Sequence, residues 1–128
     1  MGTQVIIFSG GEPLLRDDIG KIINYSRSKN IFTGLTSNGT FVPKKIDEIK
    51  NLNILKLSFD GPEQIHDLLR GEGSYGEVMR AVEAAKRKVI NIKFNTTLTK
   101  YNIDYIEFIL QKAEELDIAV KFQPVSHV

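Results

Sequence analysis

The sequence predicts an α/β protein of parallel strands joined by helices, with about five strands and four long helices. Three observations carry that expectation. Short apolar runs alternate with longer stretches in which apolar residues recur every three or four positions. Turn-forming residues close each apolar run, so strand and helix follow one another throughout. No internal repeat, low-complexity tract or linker interrupts the order. Such alternation builds a parallel sheet with right-handed crossovers. Helices on one face would curve the sheet into part of a barrel, whereas helices on both faces would leave it flat and doubly wound. The pattern admits both.

The first strand is Val5–Phe8, whose four unbroken apolar residues suit burial on both faces. Only Met1-Gly2-Thr3-Gln4 precedes it, an abrupt start for a strand that reads as central. A central strand needs a neighbour on each side, so either a later strand fills the second side or a preceding one is missing. The strand runs into Ser9-Gly10-Gly11-Glu12-Pro13. The two glycines open backbone angles closed to other residues and let the chain approach a ligand. Glu12 sets a carboxylate at the mouth of the strand, and Pro13 stiffens the exit. Such a turn presents carbonyls and a carboxylate to a cation, for which an ammonium is a natural guest. Taken alone, these residues serve equally well as a tight strand-to-helix connection.

Asp17 or Asp18 can cap a helix running to about residue 29, with Ile19, Ile22 and Ile23 inward. Residues 32–36 form the second strand and end in Thr36-Ser37-Asn38-Gly39. Pro43 suits the first turn of a short helix that buries Ile46 and Ile49. Ile54–Ser58 is the third strand, followed by Phe59-Asp60-Gly61-Pro62. Residues 63–73, with His66, Asp67 and Arg70, read as part loop and part short helix. Ser74 with Glu77 forms a capping box for a helix whose apolar face holds Met79, Val82 and Ala85. Residues 91–97 alternate as a fourth strand, with Ile92, Phe94 and Thr96 on one face and Lys93, Asn95 and Thr97 on the other. Asn102 caps a helix with Ile103, Ile106, Ile109, Leu110, Ala113 and Leu116 on one face. Residues 119–123 form the fifth strand, closed by Pro124.

Composition bounds the function. The chain has 128 residues, enough for one domain with a real core, here residues 1–128. Hydrophobic residues make up 41% and charged residues 26%, ordinary for a soluble domain. A net charge of +1 gives no reason to expect nucleic acid or an anionic membrane as partner. No apolar run reaches the length of a membrane span. Cysteine is absent, which excludes disulfides, thiolate metal ligands and a cysteine nucleophile within these residues. Two histidines do not suffice for an all-histidine metal site.

In either architecture the chemistry sits at the carboxyl ends of the strands. Those ends carry Ser9, Gly10, Gly11 and Glu12, then Thr36 with Asn38, Ser58 with Asp60, Asn95 with Thr97, and Gln123. One such residue is ordinarily a turn or cap residue, but five strand ends aimed at one rim point to a shared pocket. Glu12 suits an ammonium, Arg70 a carboxylate through a bidentate pair, and Ser58 or Asp60 hydroxyl groups. Arg70 could equally hold Asp67 or Glu72. His66 reads as a packing residue rather than a catalyst, and His127 as a frayed end. A phosphate-binding barrel using Glu12 and His66 as acid and base is the weaker reading, because no glycine-rich phosphate cradle opens a helix.

The spaced set resembles the core of a radical S-adenosylmethionine (SAM) enzyme. It comprises Ser9-Gly10-Gly11-Glu12-Pro13, Thr36-Ser37-Asn38-Gly39, Leu57-Ser58-Phe59-Asp60-Gly61, His66-Asp67, Leu69-Arg70-Gly71 and Ser74-Tyr75. It looks closest to the branch that modifies peptides or makes cofactors and hemes. The resemblance implies a partial TIM-type barrel that binds SAM and cleaves it reductively to a 5′-deoxyadenosyl radical, which attacks a small-molecule or peptide substrate. It implies that Gly10, Gly11 and Glu12, with Pro13, take the methionyl ammonium. Ser58 and Arg70 would handle the carboxylate or ribose, Asn38 and Asp60 would shape the pocket, and Asn95 and Gln123 would approach the ribose and adenine. The family's 4Fe-4S cluster needs a Cys-x3-Cys-x2-Cys loop ahead of the Gly-Gly-Glu-Pro strand, and this chain has no cysteine. The expectation is therefore a truncated core lacking its first unit and inactive by itself, with the cluster found only in a full-length parent. A cluster-less binding module is the alternative. Either form would expose the edge of the first strand and invite homo-oligomers. Cytoplasmic location follows from the lack of targeting signals and the family's oxygen-sensitive chemistry.

Overall fold

Five parallel strands stand side by side in sequence order: β1 (Val5–Phe8), β2 (Phe32–Ser37), β3 (Ile54–Ser58), β4 (Ile92–Leu98) and β5 (Ala119–Pro124). The computed structural model describes residues 4–125, so the expectations for Met1, Gly2, Thr3 and His127 lie outside the described residues. Between the strands run α1 (Ile19–Ser28), α2 (Val42–Ile49), α3 (Glu63–Arg70), α4 (Ser74–Arg87) and α5 (Ile106–Glu115). Among the described residues each strand pairs only with its neighbours in sequence. Right-handed crossovers that step in one direction put every connecting helix on the same face. The strand order thus selects the partial barrel over the flat, doubly wound sheet. α3 is the short helix of the 63–73 segment.

Alternation along the strands divides the side chains between two faces. Leu35, Leu55, Leu57, Phe59 and Phe94 face the helices and are fully buried. They meet Ile19 and Ile23 of α1, Ile49 of α2, Val78 and Val82 of α4, and Ile109 of α5 in one core. Each such side chain contributes about 1.5–3 kcal/mol through burial. Phe59 stacks on Phe94 with ring centroids 4.6 Å apart, which locks the exit of β3 to the middle of β4.

Several local expectations change. β1 is an edge strand among the described residues: it pairs only with β2, Val5 is 58% exposed, and the other three residues are half-buried. Burial on both faces is not realised, because the second neighbour that a central strand needs is not supplied by β2–β5. Asp18 occupies the N-cap of α1, but its carboxylate takes the Arg16 guanidinium at 2.9 Å instead of a helix N–H. Residues 103–105 form a separate 3-10 turn, so Ile103 is 46% exposed and the buried stripe begins in α5.

The capping box at Ser74 also changes. Gly73, at φ +86°, is the N-cap of α4, and Ser74 is already helical. Asp67 does the capping from α3, accepting from Gly73 N at 3.0 Å, Tyr75 N at 2.8 Å and Ser74 Oγ at 3.2 Å. Those bonds hold its carboxyl below the usual aspartate range. Glu77 accepts instead from Thr40 Oγ1, tying the β2–α2 turn to α4. Asn30, Val89 and Asp117 follow α1, α4 and α5 in left-handed backbone conformation, the residues that end those helices.

Candidate functional site at the strand exits

The β1 exit is built around the Glu12 carboxylate. Gly10 and Gly11 take φ of +82° and +58°, the left-handed region, with open space where a Cβ would stand. Their requirement is therefore conformational, not steric. Glu12 caps the 3-10 turn Pro13–Leu15 through Oε2, which accepts from Leu14 N at 3.1 Å. Oε1 accepts from Ser37 Oγ at 3.1 Å and Asn38 N at 2.8 Å. The strand-to-helix connection and the displayed carboxylate are thus the same object. Three donors fix the group, and a carboxylate offers about four acceptor positions, so one stays open for a donor-rich guest. Pro13 is buried at the start of the turn. Asn38 acts through its backbone, since its side chain accepts from Thr40 N and is exposed.

A second cluster gathers at the exits of β3 and β4. Asp60 is 3% exposed. Its Oδ2 accepts from Arg70 Nε at 2.5 Å and its Oδ1 from Thr97 N at 3.3 Å. Arg70 is therefore committed through Nε to Asp60, and neither Asp67 nor Glu72 holds it. Asn102, fully buried, makes no capping bond. Its Oδ1 accepts from Thr99 N at 2.7 Å, and its Nδ2 donates to the carbonyls of Asp60 at 3.1 Å and Thr97 at 2.9 Å. It clamps the β3 exit to the β4 exit.

His66 lies on α3 with no exposure, packed near Phe59 and Tyr75. Its Nδ1 accepts from Asp60 N at 3.1 Å, so the neutral ring carries its proton on Nε2. Burial pushes its pKa down, the larger influence over the nearby Asp60 charge that raises it. A buried neutral imidazole that braces Asp60 is a packing residue, as its sequence context suggests.

Ser58 and Asn95 are register partners, as are Thr97 and Gln123. The alternation turns all four to the concave side, opposite the helices. Asn95 Oδ1 is buried without a hydrogen-bond partner among the described residues, an acceptor held ready for a donor. Beyond β4 and β5 opens a largely apolar cleft of about 790 Å3, lined by Leu69, Leu98, Tyr101, Ile103 and Pro124. The structure thus joins Gly10, Gly11, Glu12, Pro13 and Asn38 in one cluster and Asp60 with Arg70 in another, and sets Ser58, Asn95 and Gln123 on the shared concave face. Ser37, Thr97 and Asn102 belong to these clusters too. Ser37 enters through its hydroxyl, Thr97 through its backbone N–H and carbonyl, and Asn102, past the end of β4, through its amide; their ties to Glu12 and Asp60 span 25 to 42 residues of sequence, which local pattern does not reveal.

The Radical SAM superfamily profile matches residues 1–113. An AdoMet-dependent heme synthase of Oleidesulfovibrio alaskensis is 32% identical over 93% of this chain and 32% of its own length. An Fe-coproporphyrin III synthase of Methanosarcina barkeri is 31% identical over 89% of this chain and 30% of its own. The chain thus spans about one third of the length of these relatives. Among solved structures, anSMEcpe with bound AdoMet and the Kp18Cys peptide superposes with a TM-score of 0.79 at 24% identity, covering 94% of this chain and 37% of that one. That likeness concerns the fold. The profile match extends over most of the chain and takes in the turn that displays Glu12, and on that ground the chain belongs to the radical SAM superfamily.

Proposed function

We propose that residues 1–128 form a truncated core domain that supplies the SAM-binding wall of a longer radical SAM enzyme, one acting in heme or cofactor synthesis or on a peptide. The observation that carries the reading is the Glu12 carboxylate, fixed by Ser37, Asn38 and Leu14 beside two left-handed glycines. In this reading Glu12 and the Gly10 and Gly11 carbonyls accept the methionyl ammonium. The guanidinium NH2 groups of Arg70, whose Nε is held by Asp60, face the carboxylate or ribose together with Ser58. Asn95 Oδ1 gains a donor from the nucleoside, Gln123 lies on the same side, and the apolar cleft takes the adenine plane. Asn38 and Asp60 act as supports. The residues present fit SAM on two counts: an ammonium-ready carboxylate and an orphaned buried acceptor.

They do not fit the family's 4Fe-4S cluster, since none of the 128 residues is a cysteine. When bound with such a cluster, SAM supplies radical hydrogen abstraction, and this chain's residues bind and orient it. By itself the chain is expected to be inactive. The resemblance to heme synthases supports a tetrapyrrole or cofactor substrate, and cytoplasmic placement is part of the same reading. Among the described residues no helix is long and apolar enough to cross a membrane.

The test is SAM titration of the complete, cluster-reconstituted protein. Glu12→Ala and Arg70→Ala should each weaken affinity about tenfold, the scale of one charge-assisted contact. Unchanged affinity in both variants overturns the assignment.

A second reading rests on the free side of β1, which pairs only with β2 among the described residues. An unpaired apolar edge invites a second strand, so a cluster-less module would self-associate through it. Light scattering that shows a monomer at high concentration would remove this reading.

A further inference from the structure

The concave face carries a charge pattern that the SAM reading does not use. The register sets Thr36, Lys56, Lys93 and Ala119 in one row across β2 to β5. The next row toward the strand exits holds Ser58, Asn95 and Lys121. The row on the other side is Ile7, Gly34 and Ile54. The concave-face strand positions 5, 7, 32, 34, 36, 54, 56, 58, 93, 95, 97, 119, 121 and 123 include three lysines and no carboxylate. Among the described residues the ion pairs are Arg16–Asp18, Arg70–Asp60, Arg87–Glu83, Lys88–Asp47 and Lys112–Glu115, and none involves these lysines.

Lys56 and Lys93 are direct neighbours on adjacent strands, about 5 Å apart at the backbone. Like charges placed opposite one another across a pair of strands repel. Both side chains are half-buried, so water relieves that repulsion less than on an open surface. With Val5, Ile7, Phe32 and Ile54 they line a cleft of about 440 Å3 that is apolar along one side and cationic along the other. Gly34 lets its floor close: a Cβ there would stand 2.6 Å from Ile7 Cδ1 and 2.8 Å from Ile54 Cγ2. The lysine row lies two residues before Ser58 and Asn95, about 7 Å along the strands. That is within reach of a substrate whose reacting end sits at the rim.

We propose that Lys56, Lys93 and Lys121 bind the anionic oxygens, carboxylate or phosphate, of a substrate whose apolar body lies against Ile7, Phe32 and Ile54. The proposal deepens the SAM reading only in naming the substrate class for the same face. Lysine suits the role because an ammonium is a point charge with three rotatable donors, which adapts to either anion without a fixed fork.

The test is calorimetric titration of the complete protein with two probes, benzene-1,3,5-tricarboxylate and tripolyphosphate. The variants are Lys56→Met, Lys93→Met, Lys121→Met and the Lys56→Met/Lys93→Met pair. Saturable binding of one probe is expected, weakened about fivefold to tenfold by each single change and further by the pair. Preference for the tricarboxylate assigns carboxylate arms, and preference for tripolyphosphate assigns phosphate. Thermal stability of the pair should hold or rise, because a repulsion is removed. Absence of saturable binding, affinity indifferent to all the variants, or a destabilised pair overturns the proposal. The last outcome would show the ammoniums to be neutralised by carboxylates elsewhere in the protein. SAM affinity is measured in parallel. If it fails to respond to Glu12→Ala while the anion responds to the lysines, the SAM assignment falls and the anion site stands.

Discussion

Arg70 holds Asp60 through a single Nε–Oδ2 contact of 2.5 Å, and the aspartate side chain is the more buried of the two, 5% exposed against 32%. The pair therefore protects a carboxylate more than it displays an arginine. Removing the arginine strands a buried charge, which costs more than the pair itself contributes. Arg70→Ala should destabilise the protein by about 1–2 kcal/mol, less than a fully buried pair because the arginine keeps contact with water. Asp60→Asn in the Arg70→Ala background should recover part of that loss. Urea denaturation of the four corners of the cycle measures it, and additive losses would show that the two residues do not interact.

Asn102 is a further support of Asp60, beside His66 and Thr97. Asn102→Ala leaves the Asp60 and Thr97 carbonyls without their donor and Thr99 N without its acceptor. A loss of about 2–3 kcal/mol follows from stranding buried backbone groups. Amide exchange should quicken first at Thr97 and Thr99. Unchanged protection at both would show that the clamp carries no load.

His66 predicts a pH dependence. Its pKa in the folded protein is lowered by burial, so below the ordinary value of about 6.5 the unfolded chain takes up a proton that the folded protein refuses. Its contribution is fully present above that value and is lost as pH falls through the lowered folded pKa. His66→Asn keeps an acceptor for Asp60 N and does not titrate. Unfolding free energies at pH 7.5 and pH 5.5 should converge in the variant relative to the wild type. Equal slopes would mean that His66 is not held neutral. The lowered carboxyl of Asp67 acts in a separate window: its contribution is present above the ordinary aspartate value of about 3.9 and is lost as pH falls through its lower folded value.

Val89 stands at φ +57° and is 90% exposed, a β-branched residue in left-handed backbone with almost nothing buried to compensate. Val89→Gly should stabilise the protein by about 1 kcal/mol, because the strain outweighs the added freedom of glycine in the unfolded chain. A lowered melting temperature in this variant would contradict the left-handed assignment.

How much of this the residues themselves announced depends on the distance between partners. The strands and helices were legible because their apolar spacing is local, as in Ile54–Ser58, which has the expected bounds. The Gly10-Gly11-Glu12 turn was legible as a carboxylate display, but its fixing by Ser37 and Asn38 requires β2 to lie beside β1. Ser74 with Glu77 matched a capping box by spacing alone. Gly73 and the reach of Asp67 from α3 displaced it, since a carboxylate accepting two backbone donors outcompetes a hydroxyl. Asn102 had the position of a cap and became a clamp because the β3 exit lay within reach. The choice between barrel and flat sheet was beyond local pattern, since only strand order decides which face the helices take.

That strand order also bears on how the chain acquires its structure. Among the described residues each strand's partner is the next one along, so none of these pairings spans a long separation, and the widest gap, Leu55 to Ile92, is the one filled by both α3 and α4. Loop-closure entropy is met in a series of modest steps. Within residues 4–125 the sheet can therefore grow one unit at a time as successive strands leave the ribosome, every completed unit presenting the edge for the next.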